Sequence, residues 1–203
     1  MNDSKAMQIN NQISMKEPGS VFSWKDFATQ SIQSKTVEQN LIRLRKKHII
    51  EAVANFRGLY YKPRTNPLIG CVPPSENEII KAYEKKLGTS FYISGANSAN
   101  ILGLSTQVPS KAVYYTNKQL KPLLIGKKEI SFKRKRLNYS QEQNTSLLLL
   151  LAMEYLGKNE LNNENTKKKI KNIIIIKCEL SELKNNLINF PKWISKYIEA
   201  NID

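Results

Sequence analysis

Between Thr36 and Lys47 the apolar residues Val37, Leu41 and Leu44 recur at helical spacing, and from His48 onward the period shortens toward that of a strand. The first pattern predicts an α-helix running to about Lys47, with Thr36 as its cap and Gln39 three residues on completing a capping box. His48–Ala54 is rich in β-branched residues, Asn55–Gly58 has turn chemistry, and Leu59–Tyr61 reads as a returning strand that Pro63 stops. Upstream, Pro18-Gly19 ends an N-terminal helix and Val21-Phe22 is a brief extended piece. Ser23 then caps a short helix over Trp24–Thr29, with Asp26 at its third position, and Ser31–Lys35 is a polar turn. Helix, short strand, helix, turn, helix, hairpin is the order of a winged helix-turn-helix, with Asn55-Phe56-Arg57-Gly58 as the wing.

Beyond a loop carrying Pro63, Pro67, Pro73 and Pro74, the pattern predicts a helix over 75–87 and a strand over 91–93. A short helix over 97–102 follows, then strands over 111–116, 123–125 and 129–134, with Gly126 turning between the last two. Helices are expected at about 146–155, 165–175, 181–188 and 191–200, punctuated by Gly157 and Pro191. The run Ile173–Ile176 fits helix or strand equally well. The fold class is therefore α+β. A winged helix-turn-helix over residues 1–66 precedes a small α+β domain over 67–136 and a C-terminal helical region over 137–203.

Charge changes the picture most. The 203 residues include 32 Lys and Arg against 17 Asp and Glu, a formal +15, which attracts polyanions. Nucleic acid leads, an anionic membrane competes, and a solvated, lysine-rich surface is the plain alternative. Hydrophobic residues make up 40% and are spread along the chain, enough to build a core. The two cysteines, Cys71 and Cys178, stand in no metal-ligand spacing and suit a reducing compartment. The first residues lack the apolar run of a signal peptide. The longest apolar stretch, Leu147–Met153, is well short of the roughly 20 residues that span a bilayer, so a cytoplasmic protein without a membrane partner is expected.

Catalytic chemistry is thin. His48 is the lone histidine and falls on the Val37, Leu41 and Leu44 face, where it reads as a half-buried structural residue. Neither a zinc site nor a serine triad has the residues it needs, and no phosphate-cradling glycine loop is present. Glu129 and Lys133 make a poor nuclease set, and Glu76 and Glu78 read as acids favoured at a helix start. The expectation is a protein that is not an enzyme and needs no cofactor or metal.

Binding is better supported. With Val37, Leu41 and Leu44 inward, about 100° per residue turns Lys35, Thr36, Gln39, Arg43 and Lys46 outward. Gln39 suits adenine, Arg43 guanine, and Lys35 and Lys46 backbone phosphates. Asn40 and Lys47 complete the set on the helix, and Arg57 at the loop tip is placed as a wing arginine is. Ile42 leans outward and breaks the polar pattern. Tyr60 and Tyr61 read as packing residues, whereas Phe56 fits packing or base stacking. A second basic cluster, Lys127, Lys128, Lys133, Arg134, Lys135 and Arg136, extends the electrostatic footprint, serves an RNA or protein partner, or guards strand edges with lysine.

Two stretches carry a family resemblance: VEQNLIRLRKKHIIEAVANFRGLYYKPRTNPLIG (37–70) and SGANSANILGLSTQVPSKAVYYTN (94–117). Through them the chain resembles the AbiEi-type antitoxins of prokaryotic toxin-antitoxin pairs, in their short winged-helix branch, over about the first two-thirds of its length. The resemblance implies a transcriptional repressor acting in an abortive-infection, phage-defence operon. It would bind inverted repeats in double-stranded operator DNA upstream of its own operon and counteract a nucleotidyltransferase-like toxin encoded nearby, often without forming a tight complex with it. A palindromic site would imply two copies, a homodimer on the DNA. Ser34–Lys47 would be the reading helix, and Arg57 and Gly58 the wing arginine and glycine. Ala52, Val53 and Ala54 depart from the more basic or glycine-rich wing of that pattern. The rival reading is an antitoxin that sequesters a toxin by protein contact, with the winged helix as a packing module.

Overall fold

A computed structural model describes residues 2–68, 70–137 and 143–202. The architecture is mixed α+β, with several helices and small sheets. The chain divides into two compact units, residues 1–88 with 123–127, and residues 89–122 with 128–203.

The first unit opens with α1 (Asn2–Ser14) and β1 (Val21–Phe22), followed by a single 3-10 turn at Trp24–Asp26. The helix expected over Trp24–Thr29 is confined to these three residues, ending at Phe27 with φ −124°, although Ser23 caps it as its spacing to Asp26 predicts: the Asp26 carboxylate accepts from the Ser23 amide at 2.8 Å, and Ser23 Oγ accepts from the Lys25 amide at 3.3 Å. Next come α2 (Ser34–Lys46), β2 (Glu51–Ala52) and β3 (Tyr60–Tyr61). β3 lies between the other two strands, antiparallel to both, with Tyr60 opposite Phe22 and Ala52, and Tyr61 opposite Val21 and Glu51. One core joins α1, β1 and α2 through Ile9, Ile13, Phe22, Phe27, Val37 and Leu41, with Phe22 and Phe27 meeting edge to face at 5.4 Å.

The proline-bearing stretch expected as loop holds a hairpin, β4 (Arg64–Asn66) and β5 (Gly70–Val72), whose residues are mostly exposed. α3 (Glu76–Leu87) then starts at a complete Ser75/Glu78 capping box and stops at Gly88, whose φ of +64° few other residues adopt readily. Ile79 of α3 is buried with Val53, Phe56 and Leu59, so α3 belongs to the first unit even though it follows the prolines. β8 (Leu123–Ile125) adds Leu123 and Ile125 to the same cluster.

The second unit holds β6 (Tyr92–Ile93), α4 (Gly95–Ile101), β7 (Ala112–Thr116) and β9 (Lys128–Arg134). β6 runs antiparallel to β7, and β7 parallel to β9 in a register that sets Tyr114 beside Phe132. Strict alternation buries Ala112, Tyr114 and Thr116. Four helices complete it: α5 (Thr145–Leu161), α6 (Glu164–Lys177), α7 (Leu180–Leu187) and α8 (Lys192–Ile202). The first half of α5, Leu147–Met153, is wholly apolar and mostly buried; α4, α6, α7 and α8 all contact the helix, and Gly157 at φ +74° breaks its helical course. The Ile173–Ile176 run is helical, with Ile173 and Ile174 buried and Ile175 and Ile176 exposed.

Candidate nucleic-acid interface

The helix that carries the outward basic residues forms for the reason its spacing gives. Val37 and Leu41 are fully buried and Leu44 nearly so, which fixes one side of α2 to the core. Its start differs from expectation. Gln33, extended at φ −68° and ψ 147°, occupies the cap position without a side-chain hydrogen bond, and Thr36 lies within the first turn rather than capping it. At the far end Lys47 donates its amide to Arg43 and Leu44, and the Ile49 amide returns to the Leu44 carbonyl at 3.1 Å. His48 takes the left-handed conformation there, φ +54°, which throws its ring outward. It is exposed and pairs with Glu51 at 3.1 Å, so the expected half-buried histidine on the core face is corrected.

Of the candidate reading residues, Lys35, Gln39, Arg43, Lys46 and Lys47 are exposed and Thr36 is half-buried. Asn40 is not with them. Its side chain is buried and its amide donates to the Ala6 carbonyl at 3.3 Å, tying α2 to α1; it is a packing residue and leaves the outward set. Arg43, Arg45 and Lys46 crowd the last turn, where the helix dipole favours cations.

Beside α2 stands the 53–59 loop. The Val53 amide donates to Leu59 at 3.0 Å, and Asn55 (φ +64°) and Gly58 (φ +74°) make the turn. Phe56 points inward, 2% exposed and edge-on to Tyr83 at 5.1 Å, which settles it as packing. Arg57 remains exposed at the tip. The Lys86 ammonium of α3 donates to the main-chain oxygen of Arg57, tying the loop to α3. Burial pushes the Lys86 pKa down, the nearby Arg57 guanidinium adds to that, and Glu38 opposes it. Glu38 and Ile42 of α2, Arg57 of the loop, Lys86 of α3, Trp24 and Tyr60 line a groove of about 260 Å³. Sequence spacing shows nothing of Lys86 or Trp24 here, because tertiary packing alone delivers them.

The second basic cluster divides in two. Lys127, Lys128, Lys133, Arg134 and Arg136 are exposed. Lys135 is turned inward, its ammonium 2.6 Å from Glu154 and lying over the rings of Phe190 and Tyr115 at 4.9 and 5.7 Å, so it braces the second unit and is removed from any surface patch.

The SGANSANILGLSTQVP block is structural in what it visibly does. Ser94 accepts from the Asn97 amide to cap α4, and Gly95, Ser98 and Ala99 are buried where α4 meets α5. Leu104 and Ser105 return their amides to the Ala99 carbonyl, and Asn100 donates to the carbonyls of Ser105 and Gln107.

Among the described residues no group of three His, Cys, Asp or Glu is disposed to hold a metal, and no helix is long and apolar enough to cross a membrane. Cys71 and Cys178 are free thiols, and burial raises the Cys178 pKa. No curated protein matches the chain. A family model spans residues 8–182, and the chain belongs to that family, the family of unknown function DUF6088.

Proposed function

We propose that the first unit is a winged helix-turn-helix and that the protein is a transcriptional regulator binding double-stranded DNA through α2 and the 53–59 loop. The element order α1, β1, short turn, α2, β2, loop, β3 supports this, as does β3 running between β1 and β2. One observation carries the reading: Lys35, Gln39, Arg43 and Lys46 stand open along one side of a 13-residue helix whose other side is buried, with Arg57 exposed on the loop. Phosphate contacts from Lys35, Lys46, Lys47 and Arg57 supply most of the affinity, and Gln39 and Arg43 supply preference for adenine and guanine. Resemblance to AbiEi-type antitoxins supports a repressor of a toxin-antitoxin operon that binds an inverted repeat as a dimer. Footprinting on the gene's own promoter tests it: protection of a palindromic stretch is expected, and no protection at low salt would remove the proposal.

A second reading has its own support in the second unit. Ile175 and Ile176 on α6, Leu180 on α7 and Ile188 at its end are exposed, an unusual density of large apolar side chains for free surface. They suit a protein partner such as the proposed toxin. Co-purification with the neighbouring gene's product at high salt, lost on replacing Ile175 and Ile176 by Ser, tests that role.

A further inference from the structure

Ile42 is the residue that the outward face of α2 leaves unexplained. It follows Gln39 by three positions and precedes Lys46 by four, so it shares their stripe. It is 47% exposed, although every other large aliphatic side chain of α2 is buried. A lone exposed isoleucine is ordinary in itself. This one lies between the glutamine and the lysine best placed to enter a groove, and with Arg57, Trp24 and Tyr60 it lines the same groove. An apolar group here would meet nucleic acid wherever its polar neighbours do.

In the major groove one base presents an apolar group, the 5-methyl of thymine; the other base edges offer hydrogen-bond donors and acceptors. We propose that Ile42 is a specificity-determining residue that reads a thymine methyl next to the bases contacted by Gln39 and Arg43. This rests on the reading of α2 as the helix that enters the major groove. It adds to that reading a selective contact that needs neither charge nor hydrogen bond. Because no ionic partner is involved, the preference persists as salt is raised, while the affinity from phosphate contacts falls.

The test uses the full chain and the duplex it enriches most from a random-sequence pool. That duplex is prepared with thymine and, one position at a time, with deoxyuridine, which lacks only the methyl. For the unaltered protein one thymine per bound copy should be sensitive, its replacement weakening binding about fourfold, the effect of withdrawing one methyl-sized group from an apolar contact. Ile42→Ala should bind the two duplexes alike, and Ile42→Val should keep part of the difference. Circular dichroism on both variants shows that each is folded, as a half-exposed site allows. Equal binding of thymine and deoxyuridine duplexes by the unaltered protein overturns the inference and leaves DNA binding intact. So does a sensitivity that Ile42→Ala retains in full. Failure to enrich any duplex overturns both this inference and the reading beneath it.

Discussion

Gly95 and Leu151 sit so close that a Cβ on Gly95 would come within 2.4 Å of the Leu151 carbonyl oxygen and 2.7 Å of Tyr155 Cβ. The obstacle is mostly backbone, and it cannot swing away as a flexible side chain would. Gly95 thus sets how near α4 lies to α5, with Ser98 and Ala99 keeping that side of α4 small. Gly95→Ala should destabilise the protein by about 1–3 kcal/mol or more, read as a lower denaturation midpoint. A midpoint equal to that of the unaltered protein would mean that the two helices separate freely.

Asn40 gives a prediction that divides folding from binding. Its amide joins α2 to the Ala6 carbonyl, so Asn40→Ala should cost about 1 kcal/mol of stability. Under the DNA-binding proposal its salt dependence of binding is unchanged, whereas Lys46→Ala should lower the slope of log affinity against log salt by about 1. Matched titrations of the two variants check this.

Much of the fold is legible in the sequence because it follows from local chemistry. The Ser23/Asp26 turn, the Ser75/Glu78 start of α3, the alternation in β7 and the core side of α2 each depend on residues a few positions apart. What escapes is long-range. Asn40 has its partner 34 residues upstream, and Lys135 sits in a run of cations but is drawn inward by Glu154 and two aromatic rings. The β4–β5 hairpin hides among prolines because its exposed strands carry no apolar alternation. The boundary expected after residue 66 rests on those prolines, whereas the core shared by Ile79 and Phe56 extends the first unit to Gly88. His48 misleads because α2 ends two residues before it, so the helical angle that puts it on the core face no longer applies.

Acid should weaken the start of α3. The Glu78 carboxylate accepts from both the Ser75 hydroxyl at 2.7 Å and the Ser75 amide at 2.6 Å, and these bonds hold its pKa below the usual carboxylate range. A depressed carboxylate stabilises the fold above its unfolded pKa of about 4.3 and ceases to do so as pH falls through the folded value. Ser75→Ala should therefore cost about 1 kcal/mol at neutral pH, and the gap from the unaltered protein should narrow in denaturant melts below about pH 4.

Alkali should weaken the protein through its tyrosines. Burial raises the pKa of Tyr83, and Tyr61, Tyr115 and Tyr197 shift the same way. A raised tyrosine stabilises fully below its unfolded value of about 10 and loses that contribution as pH climbs through the folded one. Lys86, pushed down, acts with the opposite sign as it deprotonates. Stability should fall above about pH 10, and Tyr83→Phe should fall less steeply in parallel thermal melts.

The central claim is that the open side of α2 engages DNA. Anisotropy of a labelled duplex from the gene's own promoter, titrated with the unaltered protein and with Arg43→Ala, tests it most directly. Arg43→Ala should lose about 1–3 kcal/mol of affinity for its own site and much of its preference over scrambled duplex. Equal affinity and equal preference in the two proteins, or no binding by either at low salt, would contradict it.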